Sequence, residues 1–326
     1  MKRLPLLLLL PRAAARTRRT LPLLLLALGA CGDSSDLSAP PELVGDRPRF
    51  PGVAARALVD TQVAFGPRVP GTEGHAAQLA WMVERLRGSA DSVEVQAFSH
   101  THSETGQVLA LSNVLARFRP GAEPRLLFLA HWDTRPTSDA ADTPERRALP
   151  VPGANDGGSG TAVLLEVARI LGETPPPVGV DILLVDGEDF GPTTQDMFLG
   201  ARHFARALPA PRPRYGVLLD MVGDATPSFP REGYSVLLAP EVTDRIWNVA
   251  HALGFGDYFP RTAGQRISDD HIPLNQAGLP TANVIDFDYG PGNALWHTPE
   301  DLPEHVRAET LGMVGELVLE LIYMGG

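Results

Sequence analysis

Short polar clusters follow apolar, strand-like runs at widely separated points of this sequence. Five such clusters occur: His131–Asp133, Asn155–Gly158, Asp186–Asp189, Asp220 and Trp296–Thr298. In an open α/β sheet, ligands collect in the crevice outside the carboxyl ends of the strands. We therefore expect these clusters to meet at one edge of a sheet, where imidazoles and carboxylates together can bind a metal ion.

Hydrophobic periodicity predicts alternating strands and helices. Strands are predicted at 92–98, 108–118, 125–130, 179–185, 215–219 and 281–285, and helices at 54–65, 75–86, 160–171, 200–208, 243–253 and 304–323. The run at 179–185 is apolar throughout, as is typical of buried parallel strands. This order predicts a single α/β domain, with a mostly parallel, mixed central sheet and helices on both faces. The loops at 137–153 and 289–295 are long enough to shape a pocket.

The N-terminus has the pattern of an export signal. An arginine-containing stretch precedes the apolar run 21–28, and Gly29 and Ala30 follow it. The run is too short to span a bilayer comfortably. Residues 28–31 resemble a bacterial lipoprotein cleavage site, which predicts a signal peptide at 1–30 and lipidation of Cys31, the only cysteine. An ordinary secretory signal with an incidental cysteine is the alternative.

This interpretation divides the chain into three parts. After the signal peptide, Cys31 and a polar linker cover 31–50, and the folded catalytic domain covers 51–326. The protein is then exported and lipid-anchored to a bacterial membrane, facing the periplasm or the exterior.

The charge balance argues against a nucleic-acid partner. The net charge is −11, and residues 1–30 hold six of the 28 basic residues and no acidic one. Without them 22 basic residues face 39 acidic ones, a net charge of −17, and no basic stripe is visible. A single cysteine also excludes a disulfide framework within the chain and a set of thiolate metal ligands.

Each cluster has a plain structural interpretation as well as a chemical one. His131 could be solvated, and Asn155, Asp156 and Asp269–His271 could be helix-capping turns. The pair Glu188 and Asp189 ends the most apolar strand, and two adjacent acids can divide the work: one binds metal and the other stays free as acid or base. It is improbable that all five clusters fall at one edge of the sheet by accident. Their joint pattern therefore favours a metal-binding, catalytic site.

The order of motifs is similar to that of the zinc aminopeptidase superfamily, and within it to the animal-type glutaminyl cyclases and their bacterial relatives. The resemblance spans roughly 54–323 and is carried by these segments: Phe65–Thr72, His131–Pro136, Gly153–Gly160, Asp186–Asp189, Leu219–Gly223, Asp269–Leu274 and Trp296–Thr298.

The cyclase resemblance implies one zinc ion and a set of roles. The ligands would be Asp156, Asp189 and His297, with a fourth position open to substrate. Glu188 would be the acid–base residue, Asp220 and Asp270 would form a carboxylate network with it, and Trp296 would wall the substrate pocket. The expected reaction converts an N-terminal glutamine of a peptide or protein to pyroglutamate and releases ammonia. Two departures stand out: residue 189 is Asp where the animal enzymes have Glu, and 190–199 lacks their pocket tryptophan.

Two other functions stay open at this point. A two-zinc aminopeptidase would hold one metal with His131, Asp156 and Asp220 and the other with Asp156, Asp189 and His297, while Glu188 activates a bridging water. A non-catalytic lipoprotein would bind peptides or carbohydrate on the same scaffold. The expected partners of the enzyme are peptide or protein N-termini as substrate. The membrane is reached only through a lipid anchor, and nucleic acid is not a partner.

Overall fold

A mixed β-sheet forms the centre of the described part of the molecule, residues 41–326. Its strands are β1 (Ser92–Thr101), β2 (Val108–Phe118), β3 (Arg125–His131), β4 (Gly179–Val185), β5 (Tyr215–Asp220) and β6 (Thr281–Ile285). They lie in the order β1-β2-β4-β3-β5-β6. Strands β1, β2 and β4 pair antiparallel, whereas β4, β3, β5 and β6 run parallel. The predicted fold class is confirmed.

The computed structural model describes residues 41–326, which belong to one compact unit. The predicted signal peptide, Cys31 and residues 32–40 of the predicted linker lie outside these residues, so those assignments stay predictions. Within the described residues, no helix combines the length and apolarity needed to cross a bilayer.

Helices cover both faces of the sheet. They are α1 (Gly52–Ala64), α2 (Glu73–Arg87), α3 (Pro144–Arg147), α4 (Gly158–Glu173), α5 (Leu199–Ala205), α6 (Gly233–Leu238), α7 (Pro240–Ala252), α8 (His271–Gln276) and α9 (Ala308–Tyr323). Alternate strand residues point to opposite faces. Leu126 and Phe128 join the large core formed with α1, α2, α4, α7 and α9. Leu127 and Leu129 join a smaller core that includes Phe204 of α5 and Leu274 of α8.

The structure adds three short α-helices and moves several boundaries: β1 extends to Thr101, α5 ends at Ala205, and α7 begins at Pro240. Helices α3, α6 and α8 were not predicted, because four to six residues carry too little periodicity; caps and tertiary contacts define them instead. Helix α9 begins at Ala308 rather than at residue 304. Residues 303–305 form a separate 3₁₀ turn, and the extended backbone of Val306 separates that turn from α9.

The C-terminal end of the predicted linker is packed on the domain. Arg47 forms ion pairs with Glu316 and Glu320 of α9, and the backbone N–H of Phe50 donates to Glu316. The Phe50 ring is buried against Gly315, where a Cβ would lie 2.3 Å from the ring. Residues 44–50 are therefore part of the folded domain rather than a free tether.

The parallel strands deliver the polar clusters to one edge of the sheet. His131 ends β3 and pairs in register with Val185, the last residue of β4. Asp186–Asp189 follow β4 directly, and Asp220 ends β5 on the other side of β3. The site is built at these carboxyl ends, as expected for a parallel α/β sheet.

Candidate metal centre

Two overlapping sets of buried side chains can each hold a metal ion. The first trio is His131, Asp156 and Asp220, and the second trio is Asp156, Asp189 and His297. Within each trio, one ligand atom of every residue lies within 4.8 Å of the others. His131 Nε2 is 3.1 Å from Asp156 and 3.2 Å from Asp220, and His297 Nε2 is 3.6 Å from Asp156 and 3.4 Å from Asp189. The structure thus brings together the predicted ligands of both the one-metal and the two-metal arrangement.

Asp156 is the residue that the two trios share, and hydrogen bonds to the backbone hold it in place. The carboxylate of Asp301 accepts the backbone N–H groups of Asn155 at 2.8 Å and Asp156 at 3.1 Å. Tyr289 donates its hydroxyl to the same carboxylate at 2.9 Å. Gly157 follows with φ +81°, and a Cβ there would lie 2.8 Å from the carbonyl oxygen of Asp133. Glycine is required at this turn because both the dihedral and the close approach exclude a side chain.

Asp133 positions the acidic pair at the end of β4. Its two carboxylate oxygens accept the backbone N–H groups of Glu188 at 3.1 Å and Asp189 at 3.2 Å. The cluster His131–Asp133 was expected to meet the other polar clusters at the edge of the sheet. In the structure Asp133 belongs to neither trio, and it acts on the backbone that carries Glu188 and Asp189.

Asp139 orients the imidazole of His297. Its carboxylate lies 2.9 Å from Nδ1, which leaves Nε2 directed toward Asp156 and Asp189. A carboxylate on the far nitrogen fixes the tautomer and the ring direction of a metal-binding histidine. The backbone of His297 itself has φ +53°, which is uncommon for a residue with a side chain. The surrounding loop therefore holds this histidine in a conformation it would rarely adopt alone.

Arg135 contacts the second trio directly. Its Nη2 lies 2.8 Å from Asp189, and its Nε–H donates to Nε2 of His297 at 3.2 Å. The side chain is only 5% exposed. The guanidinium is thus a buried positive charge on two predicted metal ligands, a feature that the sequence did not predict.

Glu188 lies beside the trios without belonging to either. Its carboxylate is 3.9 Å from Nδ1 of His131. Burial raises the pKa of Glu188 well above its ordinary value, and the nearby charges of Asp189, Asp269 and Asp270 act in the same direction. Glu188 thus lies next to a possible cation site without being one of its ligands, and its acid–base role stays a prediction.

The predicted carboxylate network is looser than expected. Asp270 is fully buried, and neither of its oxygens has a hydrogen-bond partner among the described residues. Asp269 instead accepts hydrogen bonds from Asn283 and from the backbone N–H of Asp270. Burial, together with the charge of Asp269, raises the pKa of Asp270 well above its ordinary value. Asp270 and Glu188 thus affect each other through charge and not through a hydrogen bond.

The donor set fits a zinc ion. Zinc is bound in proteins by imidazole nitrogens and carboxylate oxygens, and both trios offer this combination from buried side chains. Burial also raises the pKa of Asp220 and raises that of Asp269 to about 7, so these crowded carboxylates resist ionising together. A bound cation would offset the repulsion between these carboxylates. The two oxygens of Asp270 have no hydrogen-bond partner among the described residues, so the protein alone does not satisfy every polar atom of the site.

A cavity of about 210 Å³ opens onto the cluster. Trp296 lines it and stacks on His297 with ring centroids 3.7 Å apart, which agrees with the predicted pocket wall. Phe287 packs against Trp296 at 5.1 Å. Segment 190–199 contributes Met197 to the lining, in the part of the chain where the animal enzymes have a tryptophan. The cavity is large enough for one amino-acid side chain.

Sequence reasoning missed the side chains that hold the site from a distance along the chain. Arg135, Asp139 and Asp301 act on residues 54 to 162 positions away. Two signals were available: Arg135 lies in the segment His131–Pro136, which carries the family resemblance, and Asp139 lies at the start of the long loop at 137–153. Two histidines outside the predicted site also have carboxylate partners: His75 lies 3.0 Å from Asp186, and His100 lies 2.7 Å from Asp196.

Comparisons with known proteins agree with this architecture. The chain is 28% identical over 285 residues to "Aminopeptidase YwaD" of Bacillus subtilis, a match that covers 83% of this chain but 57% of that protein. A solved structure of a Zn-dependent exopeptidase from Parabacteroides distasonis is 37% identical, with a TM-score of 0.81, and the match covers 85% of this chain and 99% of that one. The glutaminyl cyclase of Bacteroides thetaiotaomicron, solved with N-acetylhistamine, is 34% identical, with the same TM-score and coverage. Residues 113–322 match the family described as peptidase family M28. This chain belongs to peptidase family M28.

Proposed function

We propose that this chain is a zinc-dependent glutaminyl-peptide cyclotransferase. The observation that carries the proposal is a free, buried Glu188 on the wall of a cavity sized for one side chain, beside a trio of zinc-type ligands. The similarity to a solved glutaminyl cyclase over nearly its whole length supports the same reaction. One zinc ion is expected, bound by Asp156, Asp189 and His297.

Cyclisation joins two groups of the same substrate residue. The α-amine of an N-terminal glutamine attacks its own γ-carboxamide carbon, a nitrogen–carbon bond forms, and the bond to the amide nitrogen breaks to release ammonia. Glu188 accepts a proton from the attacking amine and returns one to the departing nitrogen. Zinc, when bound, would polarise the γ-carbonyl group.

The remaining residues orient the substrate. The oxygens of Asp270 have no other hydrogen-bond partner among the described residues, so they are available to the amide nitrogen of the substrate. Trp296 forms an apolar wall of the cavity. Since nucleophile and electrophile arrive in one molecule, alignment within the cavity accounts for much of the rate enhancement we expect.

A peptide with an N-terminal glutamine tests the proposal. The purified chain is incubated with the peptide and zinc, and the products are followed by mass spectrometry. Loss of ammonia from an otherwise intact peptide is the expected result. Release of free glutamine would identify an aminopeptidase, and an unchanged series of peptides would favour a binding protein.

The aminopeptidase is the second candidate because the first trio is also assembled. It would use a second metal on His131, Asp156 and Asp220. His131→Gln keeps a polar side chain but removes an imidazole ligand from that trio. Cyclisation should survive this change, whereas a two-metal peptidase should lose most of its activity. Loss of cyclase activity in a folded His131→Gln protein would show that the first trio takes part.

We also propose export and lipid anchoring at Cys31. Support comes from the charged stretch, apolar run and Leu28-Gly29-Ala30-Cys31 pattern of the N-terminus. Expression in a bacterium should place the protein in the membrane fraction with incorporated fatty acid. Cys31→Ser should abolish lipid incorporation; equal labelling of the variant would contradict the assignment.

A further inference from the structure

We infer that the turn between β1 and β2 shapes the substrate cavity from outside, and that Asp196 is the positioning residue through which the turn acts. The turn, residues 102–107, does not line the cavity at the metal centre. It holds the cavity loop, residues 190–198, which contributes Met197 to the cavity wall. The inference rests on the proposed function, in which this cavity receives the first residue of a peptide.

The cavity loop has little regular structure of its own. It directly follows the predicted metal ligand Asp189, and it contains a 3₁₀ turn at Thr194–Asp196. Phe198, at the end of the loop, has φ +58°, a conformation that is uncommon for a residue with a side chain. A segment with few backbone hydrogen bonds depends on its side-chain contacts to keep one shape.

The carboxylate of Asp196 joins this loop to the end of β1 and the start of the turn. It lies 2.7 Å from Nε2 of His100 and accepts the backbone N–H of Ser103 at 2.9 Å. It also accepts the hydroxyl groups of Ser103 and Thr193. Asp196 is fully buried, and burial opposes its ionisation, but these hydrogen bonds outweigh burial and lower the pKa of Asp196 below its ordinary value. A buried carboxylate with several donors is costly to release, so this contact fixes the loop.

His102 forms a second contact between the turn and the cavity loop. Its Nδ1 accepts the backbone N–H of Thr105 at 3.2 Å. In the neutral ring Nε2 therefore carries the hydrogen, and it donates to the carbonyl of Gly191 at 3.2 Å. The same ring packs edge-on against Phe190, with centroids 5.4 Å apart. The turn thus holds the loop near its beginning through His102 and near its end through Asp196.

The cavity loop meets the metal centre on its other side. A Cβ at Gly191 would lie 2.3 Å from Nη1 of Arg135, the side chain that contacts the second trio. The backbone N–H of Phe198 donates to the carbonyl of Glu188 at 2.9 Å. The loop is therefore packed between the turn and the metal centre, and a shift of the loop would move Met197 relative to the cavity.

Substrate binding and chemistry should respond differently to such a shift. Asp133 accepts the backbone N–H groups of Glu188 and Asp189, and it does so without the help of the loop. Release of the loop should therefore leave these two side chains in place while the Met197 wall moves away. That wall contacts the bound substrate and the transition state alike, so its loss should raise KM and leave kcat nearly unchanged.

Asp196→Ala tests the inference. In the purified full chain we expect KM for a peptide with an N-terminal glutamine to rise by about 10-fold, with kcat within about 3-fold of the wild type. Zinc content should not change. Backbone hydrogen exchange of residues 190–198, followed by mass spectrometry, should become faster.

Asp196→Asn is the conservative variant that should restore most of the wild-type KM. It keeps one oxygen for His100 and for the backbone N–H of Ser103. The hydroxyl groups of Ser103 and Thr193 can turn to accept from its amide group. A requirement for bulk alone would not distinguish this variant from the wild type, but it would not explain the exchange of the loop in Asp196→Ala.

Two further variants provide a partner and a control. His100→Ala removes a contact of Asp196 from the β1 side, so it should raise KM by a smaller factor and add little to Asp196→Ala. It also replaces Asp196→Ala in the comparison if that protein does not fold, as judged by circular dichroism. Glu104→Ala removes an exposed carboxylate from the same turn and should behave like the wild type.

Three results would each overturn the inference: an unchanged KM in a folded Asp196→Ala protein, unchanged hydrogen exchange of its cavity loop, or a fall in kcat and zinc content in place of the rise in KM. The products report separately on the proposed function. A wild type that releases free glutamine refutes the cyclase, and KM is then compared with the peptide that it hydrolyses. Hydrogen exchange of the loop needs no turnover and tests the inference in either case.

Discussion

Asp156 is the residue on which both metal arrangements depend, and the chain fixes it through its neighbours. Asp301 holds the backbone before it, and Gly157 allows the turn after it. A ligand shared by two trios tolerates little movement, because a shift toward one trio is a shift away from the other. The side chains around Asp156 therefore matter for metal binding even where they cannot touch an ion.

Glu188→Gln should separate chemistry from metal binding. The amide is nearly the same size as the carboxylate but cannot accept the proton, and Glu188 belongs to neither trio. Turnover of an N-terminal glutamine peptide should fall by about 100-fold to 10,000-fold. Zinc content should stay at the wild-type value. Glu173→Gln, an exposed acid-to-amide change on α4, is the control and should change neither quantity. Full activity of Glu188→Gln would remove Glu188 from its role.

Asp301→Asn should weaken metal binding without removing a ligand. The carboxylate accepts three hydrogen bonds, from Tyr289 and the backbone of Asn155 and Asp156, and an amide nitrogen would oppose at least one of these donors. We expect zinc affinity to fall by about 10-fold to 100-fold. The measurement is competition with a chromophoric chelator.

Tyr289→Phe provides a graded comparison for this prediction. It removes a single hydroxyl donor and leaves the carboxylate of Asp301 on both backbone N–H groups. The loss in the free energy of unfolding should be about 1 kcal/mol, and zinc affinity should change less than in Asp301→Asn. Equal zinc affinity in the wild type and Asp301→Asn would show that the backbone at Asp156 needs no such anchor.

Among the secondary-structure elements, the strands were the most predictable and the short helices the least. The bounds of β2, β4 and β6 agree with the sequence prediction, and β4 and β6 are buried runs that begin and end sharply. Helix α6 depends on Glu232, whose carboxylate caps it and also binds Ile267. A six-residue helix carries little periodicity, and the contact of its cap with Ile267, 35 residues away, leaves no signal in the nearby sequence.

The same reasoning explains which site residues could be found. Glu188 and the ligands in both trios follow strand ends or glycine-rich turns, which are local patterns. Arg135, Asp139 and Asp301 are ordinary loop residues in the sequence, and only the folded chain places them on Asp189, His297 and the backbone of Asp156. Local pattern thus identified the candidate metal ligands, and only the tertiary structure identified the side chains that hold them in place.

Glu232 should make the α6–α8 region sensitive to acid. Burial opposes its ionisation, but the imidazole of His271, 3.1 Å away, and hydrogen bonds from the backbone of Ile267 and Tyr234 outweigh it and hold the pKa of Glu232 at about 2, below its ordinary 4.5. Because the folded-state pKa is the lower one, this stabilisation is complete above pH 4.5 and disappears as the pH falls toward 2. The stability advantage of wild type over Glu232→Gln should shrink across that window.

Urea unfolding between pH 2 and 7 measures this effect. Comparing each variant with wild type at the same pH cancels the titration of all other groups that the two proteins share. Glu241→Gln, an exposed change in the first turn of α7, should show no comparable pH dependence. A difference between wild type and Glu232→Gln that is constant from pH 2 to 7 would contradict the prediction.

Across the whole molecule, negative charge extends beyond the metal centre. A second cavity of about 220 Å³ shares Ile267, Ile285 and Phe287 with the first. Its lining includes the carboxylates of Asp286 and Asp288 and contains neither lysine nor arginine. The net charge of −11 has the same sign. A peptide that places its first residue at the metal centre would therefore extend into a field that favours positive charge.

Substrate charge should consequently affect the rate. Peptides that begin Gln-Lys should have a kcat/KM about 10-fold above that of matched peptides that begin Gln-Glu, because the acidic surface attracts one and repels the other. The ratio should fall toward one as ionic strength rises from about 0.01 M to about 1 M, where the screening length shortens from about 30 Å to about 3 Å. Asp288→Asn, which neutralises an exposed carboxylate of the second cavity, should reduce the ratio at low salt, whereas Asp257→Asn, an exposed change that lines neither cavity, should not. A ratio that is unaffected by salt and by Asp288→Asn would mean that direct contacts at the metal centre, and not the field of the molecule, distinguish these peptides.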